Sequence, residues 1–245
     1  ERLVGSEMCI RDSHRCAPPP RFHSPNQAQE IMISRLEHLV SWPRRWRVSH
    51  GFGVHSPFAY ALITKVIRDH DAYYYAFPEI DLLCGKRFHS KLLDSMLFSC
   101  ADYSREEAHL LFRLLCYFNP DEIVDVGGSN EVSRTIIERA VPHARLYRWN
   151  RQNFNVLQAR KPAFDIVNYI LEDNFTMARK FLLGAIHQGP GRIVIFRNLK
   201  RPCTRRLYDQ VTNSVNFGMT FHDDYIGIFA ALPSLPRLDF PMIID

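Results

Sequence analysis

No apolar run in this 245-residue chain approaches the ~18 to 20 residues that a membrane-spanning helix needs, which excludes a helical membrane protein. Charge of one sign is also scarce in excess. The 31 Lys+Arg against 26 Asp+Glu leave only +5, too little to imply a nucleic-acid partner. No Cys-x-x-Cys pair occurs among Cys9, Cys16, Cys84, Cys100, Cys116 and Cys203, so there is neither zinc spacing nor a disulfide framework, and a reduced, cytoplasmic compartment is expected. A basic start, apolar stretch and cleavage site are missing at the N-terminus, so nothing argues for export. What is present is ordinary: 46% hydrophobic, 12% aromatic and 23% charged residues, the profile of one substantial globular domain with an appendage.

Residues 1–13 (ERLVGSEMCIRDS) fit no periodic pattern and read as translated adapter sequence; with the proline-bearing stretch to residue 28 they form an expected disordered tail. From Gln29 to Trp42, apolar residues on one face predict a helix ended by Pro43, and Arg44, Arg45, Trp46 and Arg47 then read as a solvated helix-to-loop junction. In His50-Gly51-Phe52-Gly53-Val54-His55-Ser56-Pro57-Phe58, the glycines permit tight backbone and Ser56 and Pro57 open a helix running to about Arg68. Neither His50 nor His55 has a carboxylate or cysteine at ligand spacing, so packing or capping is favoured over metal binding. Further helices are predicted from about Ile80 to Ser99 and from Ser104 to Phe118, the second opened by a capping box with Glu107. Residues 29–118 thus read as a helical extension packed on the core formed by residues 119–245.

The period then changes. Glu122–Val126, Arg145–Arg148, Asp165–Ile170 and Arg192–Phe196 read as strands, separated by helices over Glu131–Ala140 and Asn174–His187 and followed by one over Arg205–Val215. Such alternation predicts an α/β fold: a mostly parallel sheet covered by helices on both faces. Met219–Asp223 and Tyr225–Ala231 read as two more strands, suited to an antiparallel edge. Asp223 and Asp224, adjacent, read as a solvated strand end.

Ligands of such folds sit at the carboxyl ends of the strands, where strand order switches. The first turn, Asp125-Val126-Gly127-Gly128-Ser129-Asn130-Glu131, lacks Gly-x-Gly-x-x-Gly, which disfavours NAD or FAD. It resembles motif I of class I S-adenosylmethionine-dependent methyltransferases, acid-x-Gly-x-x-x-Gly. The segments Gly53–Phe58, the aromatic stretch ending at Pro78, Leu111–Leu114 and Gly227-Ile228-Phe229 are similar, in the same order, to a bacterial O-methyltransferase-like family over roughly residues 45 to 245. The resemblance implies a Rossmann-like methyltransferase fold with S-adenosylmethionine as cofactor. Asp125, Gly127, Gly128 and Ser129 would line its pocket, with Trp149 and Asn150 at the adenosine end.

Four positions depart from the family's pattern. Glu131 replaces the second motif glycine, and a carboxylate ~4 Å from the cofactor's methionyl carboxylate would cost at most about 4 kcal/mol at an effective dielectric near 20. No acid follows the second strand, where Asn150 could accept one ribose bond. The Asp-Gly turn after the third strand is replaced by Ile170–Asn174. Arg197-Asn198 stands where metal-dependent members hold a divalent cation, and an arginine repels one, so no metal is expected. These departures favour a non-catalytic binding or interaction module with a weakened or lost cofactor site. The alternative is an active, metal-independent O-methyltransferase acting on a small molecule. Nucleic-acid binding through Arg44–Arg47 and Arg201–Arg206 is disfavoured, since neither cluster interleaves aromatics at a repeated spacing.

Overall fold

The computed structural model describes residues 40–69, 73, 75–90, 103–127, 131–149, 155, 157, 163–168, 172–189 and 191–244. The chain divides into two compact units, Glu1–Ser41 and Trp42–Asp245. The expected tail to residue 28 and most of the helix from Gln29 lie outside the described residues. No described helix is long and apolar enough to cross a membrane.

Helical backbone runs through Pro43 to residue 49, so the predicted stop at Pro43 and the junction at Arg44–Arg47 are both overturned. A proline obstructs the turn before it and leaves the turn after it free to form. Ser49 Oγ donates to Arg45 O at 2.8 Å, and the Arg45 guanidinium donates to Met242 O at 3.2 Å, tying this helix to the end of the chain. Gly51 and Gly53 follow with φ of 76° and 78°, the left-handed region that their lack of a Cβ makes accessible. Helix α1 (Pro57–Leu62) opens as predicted, with Ser56 Oγ accepting from Ala59 N at 3.3 Å and Pro57 in the first turn. It continues as a π-helical turn, Ile63–Ile67. Arg113, buried, donates to Val66 O (2.8 Å) and Ile67 O (3.3 Å), supplying the carbonyls at the end of that turn with donors.

Helix α2 spans Phe77–Ser90, starting earlier than expected; its predicted extension beyond residue 90 lies outside the described residues. Helix α3 spans Arg105–Phe118 and carries the predicted capping box, Ser104 Oγ accepting from Glu107 N while Glu107 Oε2 accepts from Ser104 N. Asn119 ends it in the left-handed conformation (φ 44°). The sheet follows: β1 Glu122–Val126, β2 Arg145–Arg148, β3 Phe164–Val167, β4 Arg192–Phe196, β5 Met219–His222, β6 Gly227–Ala231 and β7 Leu238–Pro241. Helices α4 (Glu131–Ala140), α5 (Glu172–Gln188) and α6 (Pro202–Thr212) connect them. Helix α6 starts three residues before the expected Arg205 because Pro202, whose fixed φ suits a first turn, opens it.

Strand order is β2-β1-β3-β4-β6-β5-β7. β2, β1, β3 and β4 run parallel, β6 is antiparallel to both β4 and β5, and β7 pairs parallel with β5. The expected antiparallel pair is present as β5 and β6, but β6 is an interior strand and β7, unforeseen, forms the edge, where a strand ending in Pro241 is tolerated. This is the Rossmann-like, mostly parallel sheet that the methyltransferase resemblance implies.

Period-two alternation sends the strand side chains into two cores. Ile123, Phe164, Ile166, Ile193, Ile195 and Ile228 pack with Leu62, Ile67, Leu111, Leu115 and Ile136, so α1, α3 and α4 cover one face. Val124, Val126, Val167, Val194, Phe196 and Phe229 pack with Phe181, Leu182, Leu207 and Val211 of α5 and α6 on the other. One ion pair is buried on this second face, Arg192 donating to both carboxylate oxygens of Asp165, with Arg192 Nη2 2.7 Å from Oδ1. Order reverses at β1, whose chain successor β2 lies on one side and β3 on the other, so the carboxyl ends of β1, β3 and β4 form the switch-point crevice.

Candidate functional site

Three parallel strands deliver three polar side chains to that crevice. Asp125, near the end of β1, is 2% exposed; Asn168 follows β3 and Arg197 follows β4, each 1% exposed. Asn168 Nδ2 donates to Asp125 Oδ1 at 2.6 Å, and Asn168 Oδ1 accepts from Arg197 Nη1 at 2.8 Å and from the Tyr103 hydroxyl at 2.9 Å. Arg197 Nη2 donates to Glu107 Oε2 at 2.9 Å, so the carboxylate that caps α3 also holds the arginine. The Arg197 guanidinium carbon lies 3.3 Å from the Tyr103 ring centroid. Burial pushes the Tyr103 phenol up to about 12, which keeps it a neutral donor at physiological pH. Asn198 takes the left-handed conformation (φ 58°) and donates from Nδ2 to Asn168 O at 2.8 Å, turning the chain sharply away from β4.

Of the residues assigned to a cofactor from sequence, Gly128, Ser129 and Asn150 lie outside the described residues. Gly127, directly after β1, has φ 94°, a conformation that favours glycine. Asp125 stands at the end of β1 within the network above. Trp149 is 9% exposed and packs in the second core, its ring centroid 6.5 Å from that of Phe181, and among the described residues its buried indole N–H has no hydrogen-bond partner. Glu131 is the exposed first residue of α4. The φ of Gly127 alone is compatible with the glycine that S-adenosylmethionine would need there, while Trp149 gives most of its ring surface to the core. A divalent cation does not fit at the end of β4, where a guanidinium stands. Among the described residues no group of three His, Cys, Asp or Glu is placed to hold a metal.

A cavity of about 460 Å³ opens beside this network. Ser104, Glu106, Glu107 and Leu110 of the α3 end line it, with Asn198, the β5–β6 turn residues Asp223, Tyr225 and Ile226, and Ile244. Asp223 departs from its expected solvated place: it is 9% exposed, in a turn, with Oδ1 accepting from Tyr225 N and Ile226 N at 2.7 Å each. An aspartate that bonds its own chain two and three residues on forms such a turn readily. Burial raises its carboxyl above the ordinary aspartate value, against the lowering effect of those two N–H groups. Tyr225 stands at the rim, its hydroxyl accepting from Lys200 Nζ at 2.6 Å.

Two solved structures are similar to the chain. The O-methyltransferase TomG from Streptomyces achromogenes, involved in tomaymycin synthesis and crystallised with SAM, is 13% identical over 69% of this chain and 95% of its own, with a TM-score of 0.41. An O-methyltransferase from Bacillus cereus in complex with SAH is 12% identical over 68% of this chain and 96% of its own, with a TM-score of 0.39. No family model and no curated protein matches the chain.

The sequence points to Asp125 as part of a cofactor turn and to Arg197 as hostile to a metal, reads Asp223 as a solvated strand end and Glu107 only as a cap, and gives no role to Tyr103 or Asn168. Asn168 carried a readable signal, a lone amide directly after a buried strand. Tyr103 carried none.

Proposed function

We propose that the chain is a class I S-adenosylmethionine-dependent methyltransferase-like protein whose cofactor site is weakened and which acts as a non-catalytic binding or interaction module. The observation that supports this is Arg197. Its buried guanidinium occupies the strand end where the family's metal-dependent members hold a cation, and its bonds to Asn168 and Glu107 and its stacking on Tyr103 commit that crevice to a fixed polar cluster. A cluster so interlocked loses several kcal/mol if any charged member is left unpaired, so it resists the rearrangement that catalysis there would demand. In this reading residues 29–118 are the helical cover of a core formed by residues 119–245. Asp125, Gly127, Gly128, Ser129, Trp149 and Asn150 are what remains of the cofactor pocket. The setting is cytoplasmic, the ligand is a small molecule, no membrane is spanned, and nucleic acid is not involved.

A second reading, an active metal-independent O-methyltransferase, is favoured by Gly127, whose φ of 94° suits a motif glycine, and by the cavity beside Asn198. Methyl transfer from a sulfonium depends mostly on in-line positioning, which needs no metal. Calorimetric titration with S-adenosylmethionine and S-adenosylhomocysteine separates the two. Heats too small to fit at about 100 µM ligand are expected. Micromolar binding of either compound overturns the weakened-site reading in favour of the enzyme.

A further inference from the structure

We infer that the surface carrying Trp42, Trp46, Phe52 and Tyr60 docks on an anionic lipid bilayer. This goes beyond the binding-module reading and does not rest on it, since none of these residues lines the cavity or the cofactor turn. Charge is the first observation. No Asp or Glu stands between Glu37 and Asp69, a stretch that holds Arg44, Arg45, Arg47, Lys65 and Arg68. Five cations without an acid equal the net charge of the whole chain, +5, so all other residues sum to zero and the excess is gathered here. Arg45 is turned inward, bonded to Met242 O and 3.9 Å from Asp224, while Arg44, Arg47 and Lys65 are exposed. Of the acids beside these cations, Asp224 faces Arg45 and Asp69 accepts from the Tyr73 hydroxyl.

Apolar surface stands beside the cations. Trp42, Trp46, Phe52 and Tyr60 are 53, 42, 58 and 51% exposed. Trp42 and Trp46, four residues apart, share one side of their helix, and Arg44 and Arg47, three apart, share the adjoining one. The rings are held in place. Trp46 packs on His50, centroid to centroid 4.2 Å, and that imidazole donates from Nδ1 to Trp46 O at 2.8 Å and accepts from Arg68 Nη2 at 3.3 Å. Phe52 sits between two left-handed glycines, its N–H donating to Arg47 O at 3.0 Å. A Cβ on Gly53 would have no atom within 4 Å, so the turn projects into open space, and one on Gly51 would lie 2.9 Å from the Tyr60 ring, which places that ring beside the turn.

The combination selects the occupant. A second copy of this surface is repelled by the same charges. Single-stranded nucleic acid lies in a groove and stacks on open ring faces, whereas Phe52 stands on a projecting turn and Trp46 already gives a face to His50. An anionic bilayer uses every part: its headgroups take Arg44, Arg47 and Lys65, whose stems lie along the interface, Trp and Tyr rings suit headgroup level, and Phe52 reaches the acyl boundary.

Flotation of the full chain with vesicles tests this, phosphatidylcholine alone against phosphatidylcholine with about one third phosphatidylglycerol. Binding at least tenfold tighter to the anionic vesicles is expected, falling at least fivefold when salt rises from ~0.1 to ~0.5 M and screens the charges. Phe52→Ser, in the exposed turn, and Arg44→Glu with Arg47→Glu, on the exposed helix side, should each weaken it at least fivefold, and Arg44→Lys with Arg47→Lys should keep it. Tryptophan emission supplies a readout that loose adsorption does not move. Trp149 lies in the core, so a blue shift with loss of acrylamide quenching on anionic vesicles reports Trp42 and Trp46. Equal affinity for the two vesicle types, no binding, indifference to Phe52→Ser or to charge reversal, or tighter binding of an oligothymidylate than of the anionic vesicles overturns the inference. So does shielding of Trp42 and Trp46 from acrylamide in the lipid-free protein, which would mean that the chain itself or a second copy covers the patch.

Discussion

The guanidinium of Arg197 rests on the ring of Tyr103, its central carbon 3.3 Å from the centroid, while its two terminal nitrogens reach Asn168 and Glu107. Stacking and ion pairing are thus satisfied together in a group that is 1% exposed. The arrangement links α3, β3 and β4, so its energy bears on the fold as well as on the crevice.

Replacing Arg197 with Met should therefore destabilise the protein by about 3 to 5 kcal/mol, because Glu107 loses its cation. Glu107→Gln should cost about as much, since it leaves the more deeply buried partner, the Arg197 guanidinium, without its carboxylate. Urea unfolding of the two variants beside the wild type measures both; a loss below about 1 kcal/mol for either contradicts the assignment.

Two glycines of similar backbone should respond differently to alanine. Gly53 (φ 78°) has no atom within 4 Å of the place a Cβ would take, whereas at Gly218 (φ 88°) that Cβ would lie 2.6 Å from Ala230 O. Both substitutions incur left-handed strain of about 1 to 2 kcal/mol. Gly218→Ala adds overpacking against β6, about 1 to 3 kcal/mol more. Thermal melts should rank Gly218→Ala clearly below Gly53→Ala, and equal melting temperatures would show that β6 yields.

Burial of Asp223 carries a pH signature. Its folded carboxyl holds a proton to higher pH than the unfolded one, so across that interval the folded state binds more protons and stability falls as pH rises. The fall begins near the unfolded aspartate value of about 3.9 and ends above the folded one. Asp223→Asn has no proton to release there, so the variant should gain on the wild type as pH rises from the unfolded aspartate value of about 3.9. Parallel stability profiles from urea unfolding at several pH values would show that the carboxyl is not strained by its burial.

The elements legible in the sequence were those whose local chemistry and burial agree. Glu122–Val126 and Arg192–Phe196 are short, largely apolar runs buried from both sides, and Ser104 with Glu107 announces a helix start from four residues alone. β7 escaped notice because Leu238–Pro241 is four residues long, flanked by prolines and half exposed, and owes its strand character to pairing with β5. At the site, the type of Arg197 could be read as hostile to a metal. Its positive role could not, since Glu107 lies 90 residues away and only the packing of α3 on the sheet brings the two together.

Glu131 is the exposed first residue of α4, so Glu131→Gly opens no cavity, and in the proposed reading it removes bulk and negative charge beside the methionine end of S-adenosylmethionine. Loss of side-chain restraint at a helix start costs up to about 1 kcal/mol. Asn150→Asp supplies the ribose acceptor that the family's pattern has there, a charge-assisted bond of roughly 1.5 to 3 kcal/mol. The two groups would meet opposite ends of one ligand, so their effects should add, and the double variant should bind S-adenosylmethionine measurably where the wild type shows little. Calorimetry on wild type, both single variants and the double variant checks this. If the folded double variant stays silent, the loss lies elsewhere, and Arg197 becomes the position to change next. If the wild type itself binds tightly, the turn accommodates Glu131 and the weakened-site reading fails at its starting point.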